Sequence, residues 1–143
     1  MNVKSIMSAD AVTVEMDDSL SIIKEIFDNT NFHHLLVVEE SKLLGVISDR
    51  DLLKSLSPNV DSITASDKDL APLNKRAHQI MTRKPLAIHE CASIKGALDL
   101  FNNNTISCIP VVNRDNEPVG IISWRDIMKE IGSRIDKSRK KRS

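Results

Sequence analysis

The apolar positions of the chain follow two rhythms, and both recur in the same order in each half. Leu20, Ile22, Ile23, Ile26 and Phe27 return every three or four residues, which predicts a helix over 19–29 with one buried face. Ile94, Ala97, Leu98 and Phe101 repeat that pattern over 93–103, where Gly96 is a local weak point. Leu35-Leu36-Val37-Val38 and Ile109-Pro110-Val111-Val112 are unbroken apolar runs, as expected of strands covered on both faces. Short extended segments at 11–15 and 85–89 precede the helices. Strands at 43–48 and 118–123, then helices at 49–56 and 124–135, follow them. Between the inner strands lie turns at Glu39–Lys42 and at Asn113-Arg114-Asp115-Asn116; the second has the better turn residues.

The repetition extends to identities. Ser19, Phe27, Asn29, Val37 and Val38 recur as Ser93, Phe101, Asn103, Val111 and Val112, and Ile6-Met7-Ser8 matches Ile80-Met81-Thr82. The spacing is 74 residues up to Val112 and 75 after it, because the second turn is one residue longer. A period this long is a duplicated domain rather than a solenoid repeat. Each copy reads strand–helix–strand–strand–helix, an α/β unit whose three-stranded sheet is too small to stand comfortably alone. The expected fold is therefore two pseudo-twofold copies with their sheets packed against each other. The boundaries are 1–56 for the first copy, 57–76 for a polar linker with Pro58 and Pro72, 77–132 for the second copy, and 133–143 for a basic tail. The linker is long enough to be mobile or functional, and the chain after Gly132 is expected to fray.

The best-kept stretch in both copies is Gly45-Val46-Ile47-Ser48-Asp49-Arg50-Asp51-Leu52, which returns as Gly120-Ile121-Ile122-Ser123-Trp124-Arg125-Asp126-Ile127. Here a strand runs into a helix start, where free N–H groups and a positive dipole end favour anions. Ser-x-x-Asp is also the pattern of a capping box, in which the two side chains satisfy the helix's own donors. One Asp is able to serve both purposes.

Composition narrows the picture. The 143 residues are 41% hydrophobic with only four aromatic residues, so the core is aliphatic. Charge balances at 20 basic against 20 acidic, but residues 132–143 hold six basic residues and one acidic, leaving 14 against 19 elsewhere. The body is net acidic and does not suit nucleic acid. The tail is able to touch nucleic acid, anionic lipid or an acidic protein face, although a terminal charge run is more often a solvated end, and it lacks aromatics for base stacking. Cys91 and Cys108, one per half, have no CxxC spacing and imply neither disulfide nor zinc site. With no apolar run long enough to span a membrane and no leader pattern, a soluble cytoplasmic protein is expected.

The tandem Ile-Met-(Ser/Thr)…Val-Val…Gly-(Val/Ile)-Ile-Ser-x-Arg-Asp pattern resembles CBS domains, whose paired form is called a Bateman module. The resemblance covers about Val3 to Ile131. Leu73 to Thr82 is similar to the approach to the second copy in small bacterial stand-alone members, some of them acetoin-utilisation-type proteins. The resemblance implies a regulatory binding module that takes an adenosine compound (AMP, ADP, ATP or S-adenosylmethionine) in clefts between the copies, with no required cofactor. It implies one cleft built from Ser8, Val12, Thr13, His33, His34, Ser123, Arg125 and Asp126. Its pseudo-symmetric mate would combine Thr82, Leu86, Ala87, Ser107, Cys108, Ser48, Arg50 and Asp51.

The chemistry of these residues agrees. A carboxylate accepts from two vicinal ribose hydroxyls, Arg offers a forked donor to phosphate, and apolar strand edges form a slot for a purine. The clefts differ: Leu36 stands where the second copy has Pro110, and His33-His34 where it has Ser107-Cys108. Asp49 repels a phosphate and Trp124, its counterpart, does not, which favours the Asp126 cleft for a phosphorylated ligand. Adjacent strand residues point to opposite faces, so His33 and His34 do not share a metal ion; one of them facing a phosphate makes binding pH-sensitive near ~6.5. Cys108 reads as a small hydrophobe. No P-loop, GxGxxG or HExxH pattern appears, so no enzyme is expected. The expected assembly is a homodimer that signals to a separate, unidentified effector. The alternatives are a ligand-free interaction module whose Ser-x-x-Asp motifs only cap helices, and a nucleic-acid-associated protein working through the tail.

Overall fold

The computed structural model describes residues 1–142; Ser143, the end of the basic tail, and the side chains of residues 141–143 lie outside the described residues. The chain forms two compact units: a central one from Val12 to Pro85, and a split one joining Met1–Ala11 to the chain from Leu86 onward.

In the central unit β1 (Thr13–Glu15) leads through α1 (Leu20–Asn29) to β2 (His34–Glu39), β3 (Lys42–Ser48) and α2 (Asp49–Ser55). Ser19 starts α1 by accepting from the Ile22 N–H at 3.3 Å. β1 and β2 are parallel, so a crossover is required, and α1 supplies it. α1 buries Leu20 and Ile23 against Val14, Leu35, Val37 and Ile47, each full burial contributing about 1.5–3 kcal/mol. Leu36 is buried too, so the apolar run of β2 is covered on both faces, as its sequence predicts.

The chain then makes α3 (Asp67–Leu70), a 3-10 turn at Ala71–Asn74, α4 (Ala77–Ile80) and β4 (Thr82–Arg83). The stretch 57–76, expected to be a linker either mobile or functional, is folded onto the central unit. Ser66 and Asp69 form a capping box, Ser57 Oγ donates to Asp69 at 2.7 Å, Lys24 meets Asp61 at 2.9 Å, and the Leu20 N–H donates to Lys75 O at 2.9 Å. Its polar side chains bind backbone and one another, which composition alone does not reveal.

The split unit repeats the plan with β5 (Ile88–His89), α5 (Ile94–Asn103), β6 (Cys108–Val112), β7 (Pro118–Ser123) and α6 (Trp124–Arg142). Its core gathers Ile94, Ala97, Phe101, Ile109, Ile122 and Ile127. The fold class is thus the expected α/β, with strand–helix–strand–strand–helix in each unit. α6 differs from expectation: it continues from 135 through Arg142, where fraying was expected. Arg134 Nε donates to Glu130 at 3.0 Å one turn back, and basic residues complement the negative end of the helix dipole.

Each copy's entry segment packs with the unit that houses the other copy. Val3 is fully buried in the split unit's core, its N–H donating to Ala92 O at 2.9 Å. Ala77, 74 residues later, is fully buried in the central core, its N–H donating to Asp18 O at 2.8 Å. Among the described residues, no helix is long and apolar enough to cross a membrane.

Candidate functional site

The crossing of entry segment over motif strand sets the local geometry. β4 pairs antiparallel with β3, Thr82 opposite Val46 and Arg83 opposite Gly45. In the split unit Ser8 takes the equivalent place: its N–H donates to Ile121 O and its carbonyl accepts from the Ile121 N–H, both at 2.9 Å. A Cβ at Gly120 would lie 2.6 Å from Ser8 O and 2.7 Å from Met7 Sδ; one at Gly45 would lie 2.6 Å from Met81 Sδ and 2.9 Å from Thr82 O. Real Cβ atoms essentially never come so close. Glycine opens each motif because the Met-(Ser/Thr) segment lies directly on that backbone. These glycines and methionines shape the crossing, which reading for polar chemistry overlooks. The signal is in the sequence: a Gly and an Ile-Met pair kept at matching places in both copies.

Two residues beyond the crossing, each strand turns into its helix through a completed capping box. The Ser48 N–H donates to Asp51 Oδ2 at 2.9 Å and the Asp51 N–H donates to Ser48 Oγ at 3.0 Å. The Ser123 N–H donates to Asp126 Oδ2 at 2.8 Å, and Ser123 Oγ to the same oxygen at 3.1 Å; the Asp126 N–H reaches Ser123 Oγ at 3.4 Å. Both boxes use Oδ2 alone, so Oδ1 takes no part in them. Ser8 is thus grouped with Ser123, Arg125 and Asp126, and Thr82 with Ser48, Arg50 and Asp51. Arg50 and Arg125 are exposed beside their boxes.

The remaining expected residues stand at the same end of each sheet as its box. In the central unit Val12 O accepts from the Leu36 N–H at 3.0 Å, Thr13 is level with Leu36, and His34 pairs with Ser48. In the split unit Leu86 and Ala87 lead into β5, Cys108 pairs with Ser123, and Ser107 O accepts from the Trp124 N–H at 3.4 Å. Val12, Thr13, His33 and His34 therefore belong to the central unit, whereas Ser8 and Asp126 belong to the split one. Likewise Leu86, Ala87, Ser107 and Cys108 are in the split unit and Thr82 and Asp51 in the central one.

Electrostatics distinguish the two strand ends. His33 Nδ1 lies 2.9 Å from Asp49 Oδ2, and this hydrogen bond holds the Asp49 carboxyl below the usual carboxylate range. Burial pushes the neighbouring His34 down from its ordinary value, against the pull of Asp49. In the split unit burial pushes the Cys108 thiol up to about 12, so it stays protonated. Trp124, in the place of Asp49, packs its ring on Phe101 with centroids 4.8 Å apart.

Known proteins share this arrangement. The CBS domain model matches residues 3–58 and 77–133. An L-aspartate semialdehyde sulfurtransferase of Methanocaldococcus jannaschii is 29% identical over 133 residues, which cover 92% of this chain and 23% of that protein. The chain spans between 21% and 29% of the length of this and three further curated relatives. Among solved structures, the CBS domain pair of protein MJ0100, in complex with 5'-methylthioadenosine and S-adenosyl-L-methionine, superposes with a TM-score of 0.74 at 28% identity, covering 94% of this chain and 98% of that one. A putative acetoin utilization protein from Vibrio cholerae has the same fold, with a TM-score of 0.76 at 21% identity over 98% of this chain and 96% of that one. With a family match in each half and the motif strand, box and crossing segment formed twice, this chain belongs to the CBS domain family, as a tandem pair.

Proposed function

We propose that this chain is a regulatory module that binds an adenosine compound and passes the binding event to a partner. One observation carries the reading: both units build the same Ser-x-x-Asp box beside a Met-(Ser/Thr) crossing, and each box leaves one carboxylate oxygen outside its own hydrogen bonds. A carboxylate fixed in this way is suited to paired ribose hydroxyls, and the exposed Arg beside it to phosphate. The 28% identity to a CBS pair solved with two adenosine compounds supports the ligand class. The proposed ligand set is AMP, ADP, ATP or S-adenosylmethionine, with Asp126 favoured over Asp51 for a phosphorylated member because Trp124 replaces Asp49. The proposed residues are the two eight-residue sets given above. The role is binding and relay rather than catalysis, in a homodimer read by an unidentified effector; the relay requires that the ligand bind one arrangement better than another.

A second reading, a ligand-free interaction module, is favoured by the capping boxes, in which each Ser and Asp already serve the helix's own donors. A thermal-shift panel of the candidate compounds separates the two. A ligand at about 100 times its Kd adds roughly 2.7 kcal/mol, a rise of about 5–10 °C for a chain of this size. Asp126→Asn keeps a capping acceptor and removes the charge. Under the binding reading it lowers the ligand-induced rise, and Asp51→Asn lowers it less. No rise with any compound favours the interaction module.

A further inference from the structure

The binding reading leaves one large feature unused: the second half of α6. All ten residues from Ile131 to Lys140 are exposed, and a side chain built at Gly132 would meet nothing within 4 Å. Up to Glu130, whose side chain is 13% exposed, the helix is packed on its unit; from Ile131 to Lys140 it projects with every residue exposed. Isolated helical segments of this length are marginal in water, so a surface that covers one face would stabilise it.

The uncovered faces have a definite chemistry. Met128, Ile131 and Ile135 are 62%, 37% and 50% exposed, and their spacing of three and four places them on one stripe. From Met128 onward the sequence carries Lys129, Arg134, Lys137, Arg139, Lys140, Lys141 and Arg142 against two acids, Glu130 and Asp136, the first of them paired with Arg134 at 3.0 Å, while the remainder of the chain is net acidic. An aliphatic stripe flanked by cations on a polar helix is the pattern of an interfacial segment that lies in the headgroup region of a bilayer. Pairing two copies of α6 would bring two segments of like charge together over three aliphatic side chains, far less than a stable interface buries. A nucleic acid would use the cations but leave the stripe in water, and the segment has no aromatic residue for base stacking.

We propose that the α6 extension is a docking surface for an anionic lipid bilayer: Met128, Ile131 and Ile135 enter the acyl boundary while the basic side chains take the headgroup phosphates. Each basic residue near an anionic leaflet raises affinity about fivefold, so attachment is reversible and salt-sensitive. It needs no helix that spans the membrane.

The test is flotation of the full chain with vesicles of phosphatidylcholine alone or mixed with phosphatidylglycerol. The chain is expected to float only with the anionic vesicles at low salt, and to be released near 1 M salt, where screening acts within about 3 Å. Replacing Arg134, Lys137 and Arg139 by Gln is expected to weaken binding about 100-fold. The pair Ile131→Ser and Ile135→Ser leaves the charge unchanged and is expected to weaken binding about tenfold. All five side chains are exposed, and circular dichroism verifies that the variants fold. Failure of the full chain to float with anionic vesicles overturns the proposal. So does an unchanged affinity of the Ile pair, and with tight binding to duplex DNA that result would identify the tail as a nucleic-acid surface.

Discussion

At matching places the two units hold different side chains on the same backbone. Where the central unit has His33 and His34 facing the ladder end and Asp49 opening α2, the split unit has Ser107, Cys108 and Trp124. The backbone hydrogen bond is kept: the Asp49 N–H donates to His33 O at 2.9 Å and the Trp124 N–H to Ser107 O at 3.4 Å. Duplication has thus preserved the strand-to-helix junction and changed what it displays. One junction presents a His33–Asp49 hydrogen bond and the titratable ring of His34; the other presents a thiol and an indole that do not change charge in the physiological range. The comparison separates what the fold needs from what sets each unit apart. Glycine, Ser-x-x-Asp and the crossing Met belong to the fold, and the residues around them carry the difference.

The sharpest way to break this division is at the glycines. At Gly120 the nearest obstacle to a Cβ is backbone, Ser8 O at 2.6 Å; at Gly45 it is the mobile end of Met81, with Thr82 O at 2.9 Å. Flexible thioether atoms move more cheaply than a strand carbonyl. Gly120→Ala is therefore expected to destabilise by about 3 kcal/mol and Gly45→Ala by about 2 kcal/mol, measured by urea unfolding. A negligible cost at either glycine would mean that the two crossings are not the shared frame.

The next effect distinguishes the units by pH. His34 is held below its ordinary pKa chiefly by burial, so the folded state favours its neutral ring. Its share of stability is complete above the ordinary histidine range, about 6.5, and is lost as pH falls through the unfolded and then the folded value. Asp49, held low by His33, acts in a lower window: its share is present above the ordinary carboxylate pKa and is lost as pH falls through its depressed one. Unfolding followed from pH 7 to 5 is expected to show a slope no steeper than about 1.4 kcal/mol per pH unit, one proton's worth, moderated by the ring's partial exposure. His34→Gln is expected to flatten it. Cys108, its counterpart with a thiol at about 12, contributes nothing in that window, so Cys108→Ala leaves the slope in place. A slope that survives His34→Gln would remove the titratable ring from the comparison.

The sequence is most informative where one kind of force decides the outcome. The period of Leu20, Ile23 and Phe27 and the unbroken Leu35–Val38 run locate α1 and β2 to within a residue, because burial alone sets them. Both capping boxes are readable from Ser-x-x-Asp, a contact over three residues. Entry segments that pack in the unit of the other copy are not readable in that way. β4 is two residues long, and its existence depends on partner residues 36 and 38 positions earlier that no local pattern specifies. The folding of 57–76 was hidden for a related reason, since Ser57, Ser66 and Asp69 look like linker residues until their hydrogen bonds to one another are seen.

The smallest expected effect lies in the turns, where the copies differ by one residue. The split unit's turn is well suited to its path. Asn113 Oδ1 accepts from the Asp115 N–H at 2.9 Å and the Glu117 N–H at 3.0 Å, and the left-handed position, φ 62°, is held by Asn116. The central unit's shorter turn needs two left-handed residues in a row and has Glu40 at φ 49° and Ser41 at φ 68°. A left-handed conformation costs a residue with a Cβ about 1–2 kcal/mol, partly offset in any glycine replacement by the freedom glycine gains when unfolded. Ser41→Gly is therefore expected to stabilise the protein by about 0.5 kcal/mol, a rise of about 1–2 °C in Tm. Asn116→Gly, at a position already occupied by a tolerant residue, is expected to change Tm by less. If Ser41→Gly lowers Tm instead, the strain at that turn is being relieved by contacts of the serine side chain, and the ranking of the two turns reverses.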